Sequence, residues 1–167
     1  MQKIITGALL LSTLVISPNN VNEQIRDKFV SEAGLMSHKP VSESTQPKIN
    51  ALVDALIYVE SRGNDSAIGD RHLGKPSIGC LQIRPIMVRE VNRILKRKKK
   101  DLRYRMEDRF SREKSIEMFM VWKDYYHDSD NFEEIARTWN GGPKGMKNKK
   151  TLGYWAKVKF ELNKKDI

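Results

Sequence analysis

Ile49-Asn50-Ala51-Leu52-Val53-Asp54-Ala55-Leu56-Ile57-Tyr58-Val59-Glu60-Ser61 decides how this chain is read. Ile49, Leu52, Val53 and Leu56 recur at i, i+3, i+4 and i+7, which is one face of an α-helix. At ~100° per residue, Glu60 falls about 20° from the direction of Ile49, inside the apolar stripe. A carboxyl on the core-facing side loses water around its charged form, so its proton is held to higher pH. A carboxylic acid that keeps its proton near neutral pH suits a general acid. The same spacing also admits a last-turn Glu that bends out to solvent. The segments around it bear on that choice.

Downstream, Gly63 is placed to end the helix as a left-handed cap, which gives a first helix from Lys48 to about Ser61. Residues 64–83 are rich in turn formers: Asn64, Asp65, Gly69, Asp70, Gly74, Pro76 and Gly79. They predict loops with at most a small β-hairpin. Pro85 suits the first turn of a second helix whose apolar face is Met87, Val88, Val91, Ile94 and Leu95. That helix runs into Lys96-Arg97-Lys98-Lys99-Lys100, cations that suit a helix C-terminus. Ser111 is a candidate N-cap for a third helix carrying Ile116, Phe119, Met120 and Trp122 or Lys123. Asp130 and Glu133 form a loose capping box for a fourth, striped by Phe132, Ile135, Ala136 and Trp139. Asn140-Gly141-Gly142-Pro143 stops it, and a last helix spans residues 152–162 with Trp155, Val158 and Leu162 in register. The expected fold is mainly α within an α+β frame: about five helices around a cleft, with a small loop or β-hairpin region after the first. No internal repeat is visible.

Upstream of this domain, residues 21–47 lack sustained periodicity and contain Pro40 and Pro47, which reads as a linker with one short helix over residues 21–30. The folded domain is thus assigned to residues 48–163. Residues 1–20 read as a signal peptide or N-terminal anchor. Lys3 supplies a positive start, and the apolar run at 4–16 is short for a membrane span but suits a secretory leader. No small-x-small pair precedes Ser17, which leaves a cleaved leader and a retained anchor both open; a buried strand or helix is the competing reading. No Cys follows the run to carry a lipid. Export is expected, to the periplasm, the cell envelope or the exterior, with a membrane tether if the segment is kept.

A length of 167 residues suits one ordinary domain. Hydrophobic content of 39% with 31% charged residues fits a soluble globular class. The net charge of +10 favours an anionic partner: nucleic acid, a membrane surface or an anionic cell-wall polymer. Cys80 is the single cysteine, which excludes an intramolecular disulfide and a Cys-rich metal site. His38, His72 and His127 lack metal-ligand spacing, so no metal or cofactor is expected. Tyr104, Trp122 and Tyr125 among basic residues are compatible with nucleic-acid binding. However, no phosphate loop, zinc spacing or helix-turn-helix signature is present, and nucleic acid is not expected as a partner.

Three segments stand apart from packing: Glu60-Ser61-Arg62-Gly63-Asn64, Ser77-Ile78-Gly79-Cys80-Leu81-Gln82-Ile83, and Ala136-Arg137-Thr138-Trp139-Asn140-Gly141-Gly142. Each sits at a helix end or turn, where polar groups can face a shared cleft. In this order they resemble the lysozyme-like fold of soluble lytic transglycosylases and goose-type lysozymes. Those families carry a Glu-Ser at the end of a core helix, a Gly-Leu-Met-Gln-like turn and an Ala-Tyr-Asn-x-Gly-like helix end. Here Cys80 and Leu81 replace the middle pair of the turn, and Trp139 replaces the Tyr. The resemblance covers residues 48–162.

The resemblance implies cleavage of the β-1,4 bond between N-acetylmuramic acid and N-acetylglucosamine in peptidoglycan. It implies Glu60 as the catalytic acid and base, with Ser61, Gln82, Asn140 and Tyr154 at the substrate. Gln82 offers an amide that can both donate to and accept from an N-acetyl group. Trp139 continues an apolar stripe and is expected to pack or to wall the cleft. Asp65 and Asp70 lie in the loop after the first helix, and Asp70, beside Gly69, is the better candidate for the second carboxylate that an inverting hydrolase would need. Two outcomes follow from one Glu: a 1,6-anhydro end in a transglycosylase, or water attack in a goose-type-like lysozyme. A non-catalytic glycan-binding module is the alternative from another class. The expected partners are peptidoglycan strands and anionic wall polymers, with the protein acting as a monomer.

Overall fold

The computed structural model describes residues 46–164, which belong to a single unit of the chain. The first helix, α1 (Gln46–Ser61), starts two residues earlier than expected, with Pro47 in its first turn. It buries Ile49, Leu52, Val53 and Leu56, the predicted stripe, and Ala55 and Ile57 as well. A buried arc this wide makes α1 a central helix rather than a surface one. Its end is left-handed at two residues, Arg62 (φ 56°) and Gly63 (φ 82°), so the reversal begins one residue before the expected glycine.

After α1 the chain makes a two-stranded antiparallel hairpin, β1 (Ile68–Gly69) and β2 (Ser77–Ile78), pairing Ile68 with Ile78 and Gly69 with Ser77. A short 3-10 turn, Arg71–Leu73, joins them between left-handed Asp70 and Gly74. Strands of two residues cannot stand alone. Backbone bonds from Gly79 N–H to the Ala67 carbonyl (2.9 Å) and between Ile78 and Ile83 (3.1 and 2.8 Å) extend the pairing.

Then come α2 (Pro85–Arg97), α3 (Arg112–Tyr126), α4 (Phe132–Gly141) and α5 (Lys150–Asn163). Among the described residues the fold is therefore mainly helical, five helices with one small hairpin after the first, as the periodicities predict. Ser111 caps α3, its hydroxyl accepting the Lys114 N–H at 3.3 Å. The cap of α4 is not Asp130 but Asn131, whose side-chain oxygen accepts the Glu134 N–H at 3.2 Å. Either Asx residue can play this part, and the first turn of α4 selects the later one. A 3-10 segment, Gly142–Lys147, links α4 to α5.

α1 packs against α5, α5 against α4, and α2 against α3. Val88, Val91, Ile94 and Leu95 of α2 and Ile116, Met118 and Phe119 of α3 are all buried, as are Leu81, Ile83, Ile135 and Val158. Trp139 lies edge-on to both Phe119 and Trp122, each at 5.1 Å between ring centroids, which is a packing role. No helix of the described residues is long and apolar enough to cross a membrane. The segment at 1–20 and the short helix expected over 21–30 lie outside the described residues.

Candidate functional site

Glu60 sits in the last turn of α1, half-buried, with the Tyr154 hydroxyl of α5 donating to its Oε1 at 2.7 Å. Burial pushes its carboxyl up from 4.5 to about 7. The Tyr154 hydrogen bond, which favours the charged form, pulls against that, and the negative charge of Asp70 adds to the rise. Tyr154 itself is driven well above the usual phenol range, first by burial and then by Glu60. It therefore stays a donor.

The position of Tyr154 is set one turn earlier in α5. Arg137, buried in α4, donates from Nε to Thr151 Oγ1 (3.0 Å), from Nη2 to the Met146 carbonyl (2.8 Å) and from Nη1 to Glu133 (2.7 Å). Thr151 in turn bonds the Gly145 and Asn148 carbonyls, at 2.8 and 2.7 Å. The 3-10 segment approaches α4 so closely that a Cβ on Gly145 would lie 2.1 Å from the Arg137 carbonyl oxygen. This clamp fixes the start of α5, and with it the phenol against Glu60.

Ser61 does not turn to the carboxylate. Its hydroxyl is shared between the Ile57 carbonyl (3.2 Å) and the Cys80 carbonyl (2.9 Å), tying the end of α1 to the turn after β2. Gln82 is held inside that turn. Its backbone is left-handed (φ 47°), and its amide nitrogen donates to the Ala67 and Gly79 carbonyls at 3.2 and 2.9 Å. Its Oε1 accepts the Ser77 hydroxyl at 2.9 Å. Both amide hydrogens are thus used, and one lone pair is left for an outside group.

Asp70 is exposed, and its carboxylate pairs with Arg84, the residue before α2, at 3.1 Å. Its charge nevertheless reaches Glu60. Asn140 lies exposed in the last turn of α4, and its side chain makes no hydrogen bond among the described residues. The structure thus joins Glu60 to Tyr154 and sets Asp70 within electrostatic reach, while Ser61 and Gln82 hold the turns nearby and Asn140 lies exposed on a helix that packs on α5.

Two arginines that sequence reading passed over hold the loops around this group. Buried Arg109 donates to the Met106, Pro76 and Ile83 carbonyls at 2.7, 3.2 and 3.2 Å. Arg112 bonds the Gly63 carbonyl and pairs with Asp65 at 3.0 Å. Arg109 lies in a short 3-10 turn, Glu107–Phe110, and Arg112 opens α3, places where periodicity gives no signal. Gly79, at φ 81°, meets the Arg109 carbonyl so tightly that a Cβ would sit 1.8 Å from it. Cys80 is buried and its thiol is pushed up to about 11, chiefly by that burial, so it is no nucleophile.

Among the described residues no group of His, Cys, Asp and Glu side chains converges to hold a metal ion. Chemically, the arrangement is one proton-holding carboxyl, oriented by a phenol, with a second carboxylate within electrostatic reach. Compared with protein-family models and with curated proteins, the chain matches none.

Proposed function

We propose that this protein cleaves the β-1,4 bond between N-acetylmuramic acid and N-acetylglucosamine in peptidoglycan, with Glu60 as general acid and then general base. The supporting observation is the Glu60 carboxyl, held near a pKa of about 7 by burial and touched by one neutral donor. Such a group is protonated in a large fraction of molecules at neutral pH and still gives its proton up readily.

Because Tyr154 donates to Oε1, the acidic proton belongs on Oε2, and that oxygen serves the leaving glycosidic oxygen. As the bond breaks, the proton moves from Oε2 to the departing sugar, and positive charge grows at the anomeric carbon. The substrate's own 2-acetamido oxygen stabilises that centre. Glu60, now a carboxylate, takes the proton of the C6 hydroxyl, whose oxygen closes a 1,6-anhydro ring. The acid is regenerated and no water is consumed.

A hydrolytic outcome is the second reading. Asp70 favours it, since its charge acts on Glu60 and an inverting route needs a second carboxylate for water. Its pairing with Arg84 weighs the other way. A non-catalytic glycan-binding module would need no acid with a raised pKa. The protein is read as an exported monomer acting on wall glycan.

The test is incubation of the full-length chain and of Glu60→Gln with peptidoglycan sacculi, followed by mass spectrometry of the soluble products. Anhydro ends from the unmodified chain alone are the expected result, and reducing ends would select the hydrolase. No release by the unmodified chain across pH 5–8, a range set around the carboxyl's value of about 7, would end the enzymatic reading.

A further inference from the structure

Residues 89–105 carry nine Lys or Arg against two Asp or Glu, a surplus of seven out of the net +10, in a tenth of the chain. Arg93 has its acid, Glu90. No ion pair among the described residues neutralises the other eight. Packing like charges so densely costs self-repulsion, which the C-terminal dipole of α2 relieves only near its last turn.

These cations stand on a fixed frame. Lys98 N–H bonds the Ile94 carbonyl at 2.9 Å, Lys100 N–H bonds the Leu95 carbonyl at 3.0 Å, and Lys99 holds a left-handed φ of 53° between them. The loop that follows is pinned by Asn92 and Tyr104, which exchange two hydrogen bonds of 2.8 Å, and by the Tyr104 hydroxyl on Glu117 at 2.8 Å. At the end of α3, Tyr126 and Tyr125 accept from Arg93 and Arg97 at 2.9 and 3.0 Å and aim both guanidinium groups. At ~1.5 Å per residue, Arg97 lies about 18 Å along α2 from its first turn, next to the Asp70–Arg84 pair.

We infer that the end of α2, the loop after it and the end of α3 form a binding surface for a flexible, base-free phosphodiester polymer, of the polyol-phosphate kind, separate from the Glu60 site. Repeated single negative charges along a linear chain match repeated cations along a fixed edge. The rings here hold cations instead of offering a row of faces for stacked bases. Tyr104 is buried, and Tyr125 has Lys98 over its ring at 5.9 Å and Tyr126 against its edge at 4.9 Å. Leu102 and Tyr126 are the large hydrophobic residues exposed on this surface, and Tyr126 is bonded to Arg93, which leaves too little for seating in a lipid interface. The inference makes no use of Glu60 and stands apart from peptidoglycan cleavage.

The experiment measures binding of the full-length protein to fluorescent poly(glycerol phosphate) across a salt series. With about four phosphates engaged at ~0.7 counterions each, affinity should fall about sevenfold per doubling of salt. The triple variant Lys96→Gln, Lys98→Gln, Lys99→Gln should bind about tenfold or more weakly and lose about two units of that salt slope. A charge-matched triple, Lys144→Gln, Lys147→Gln, Lys149→Gln, should bind within about twofold of the unmodified chain, since net charge falls equally in both. All six lysines are exposed, and a matching circular-dichroism melt checks the folds. Equal weakening by the two triples would overturn the inference, as would no binding at low salt, or tighter binding to single-stranded DNA or phosphatidylglycerol vesicles at equal phosphate.

Discussion

Replacing Glu60 by Gln removes a proton site that folding lifts from 4.5 to about 7. The folded chain holds this proton at pH values where the unfolded chain has released it. The stability it contributes is therefore complete below pH 4.5 and is lost as pH rises through about 7. Two and a half pKa units correspond to about 3 kcal/mol, an upper figure because the side chain is only half-buried. For a domain of this size that is roughly 10 °C in Tm.

The comparison to make is thermal melting of the full-length protein and of Glu60→Gln from pH 4 to pH 8. The unmodified chain should lose ground against the variant between about pH 4.5 and 7, and the difference should level off above that. Buried His127 works in the opposite direction: its pKa is lowered by burial, so its contribution is lost as pH falls. His127 is common to both proteins and cancels in the difference. Gln also keeps an oxygen for Tyr154, so the contrast isolates the charge. A difference in Tm that does not vary with pH, or that is already complete by pH 4.5, would refute the reasoning.

Three further outcomes follow from the same geometry. Tyr154→Phe should move the alkaline limb of the proposed cleavage to higher pH, since a bond favouring the charged form is gone, and should slow it about tenfold as the carboxyl loses its orienting partner. Asp70→Asn should move that limb to lower pH by removing a negative charge; on products, it should reduce any hydrolysis while scarcely altering anhydro formation, and unchanged hydrolysis would remove Asp70 from the mechanism. Arg137→Met should cost about 2–4 kcal/mol in a denaturant melt, because the Met146 carbonyl and Thr151 hydroxyl lose their buried donor. It should also give the Tyr154→Phe pH profile, since both act on one phenol.

The helices were legible because their contacts repeat: Ile49, Leu52, Val53 and Leu56, and Val88, Val91 and Leu95, are core residues at helical spacing. The placement of Glu60 on the buried side was legible for the same reason. Asn131 displaced Asp130 as a cap because neighbouring Asx residues carry the same local signal. Ser61 and Gln82 were recognisable as special but not in what they bond, since their acceptors, the Cys80, Ala67 and Gly79 carbonyls, meet them only after the chain turns. Arg109 and Arg137 were missed because a buried arginine satisfied by carbonyls reads, in sequence, like any solvated cation. Glu133, four residues before Arg137, was the available hint, as i,i+4 pairs share a helix face.

The 3-10 turn between the two strands leaves Arg71, His72, Leu73, Gly74 and Lys75 all exposed, and nothing lies within 4 Å of a Cβ added at Gly74. The anchors of the hairpin, Gln82, Arg109 and the Ser61–Cys80 link, lie outside this tip. Lengthening a surface loop carries a small entropic penalty, about 0.6 kcal/mol for each doubling. The tip is accordingly the spot where extra peptide, a fluorophore tag or a grafted recognition sequence can be spliced in while the scaffold beneath stays as it is.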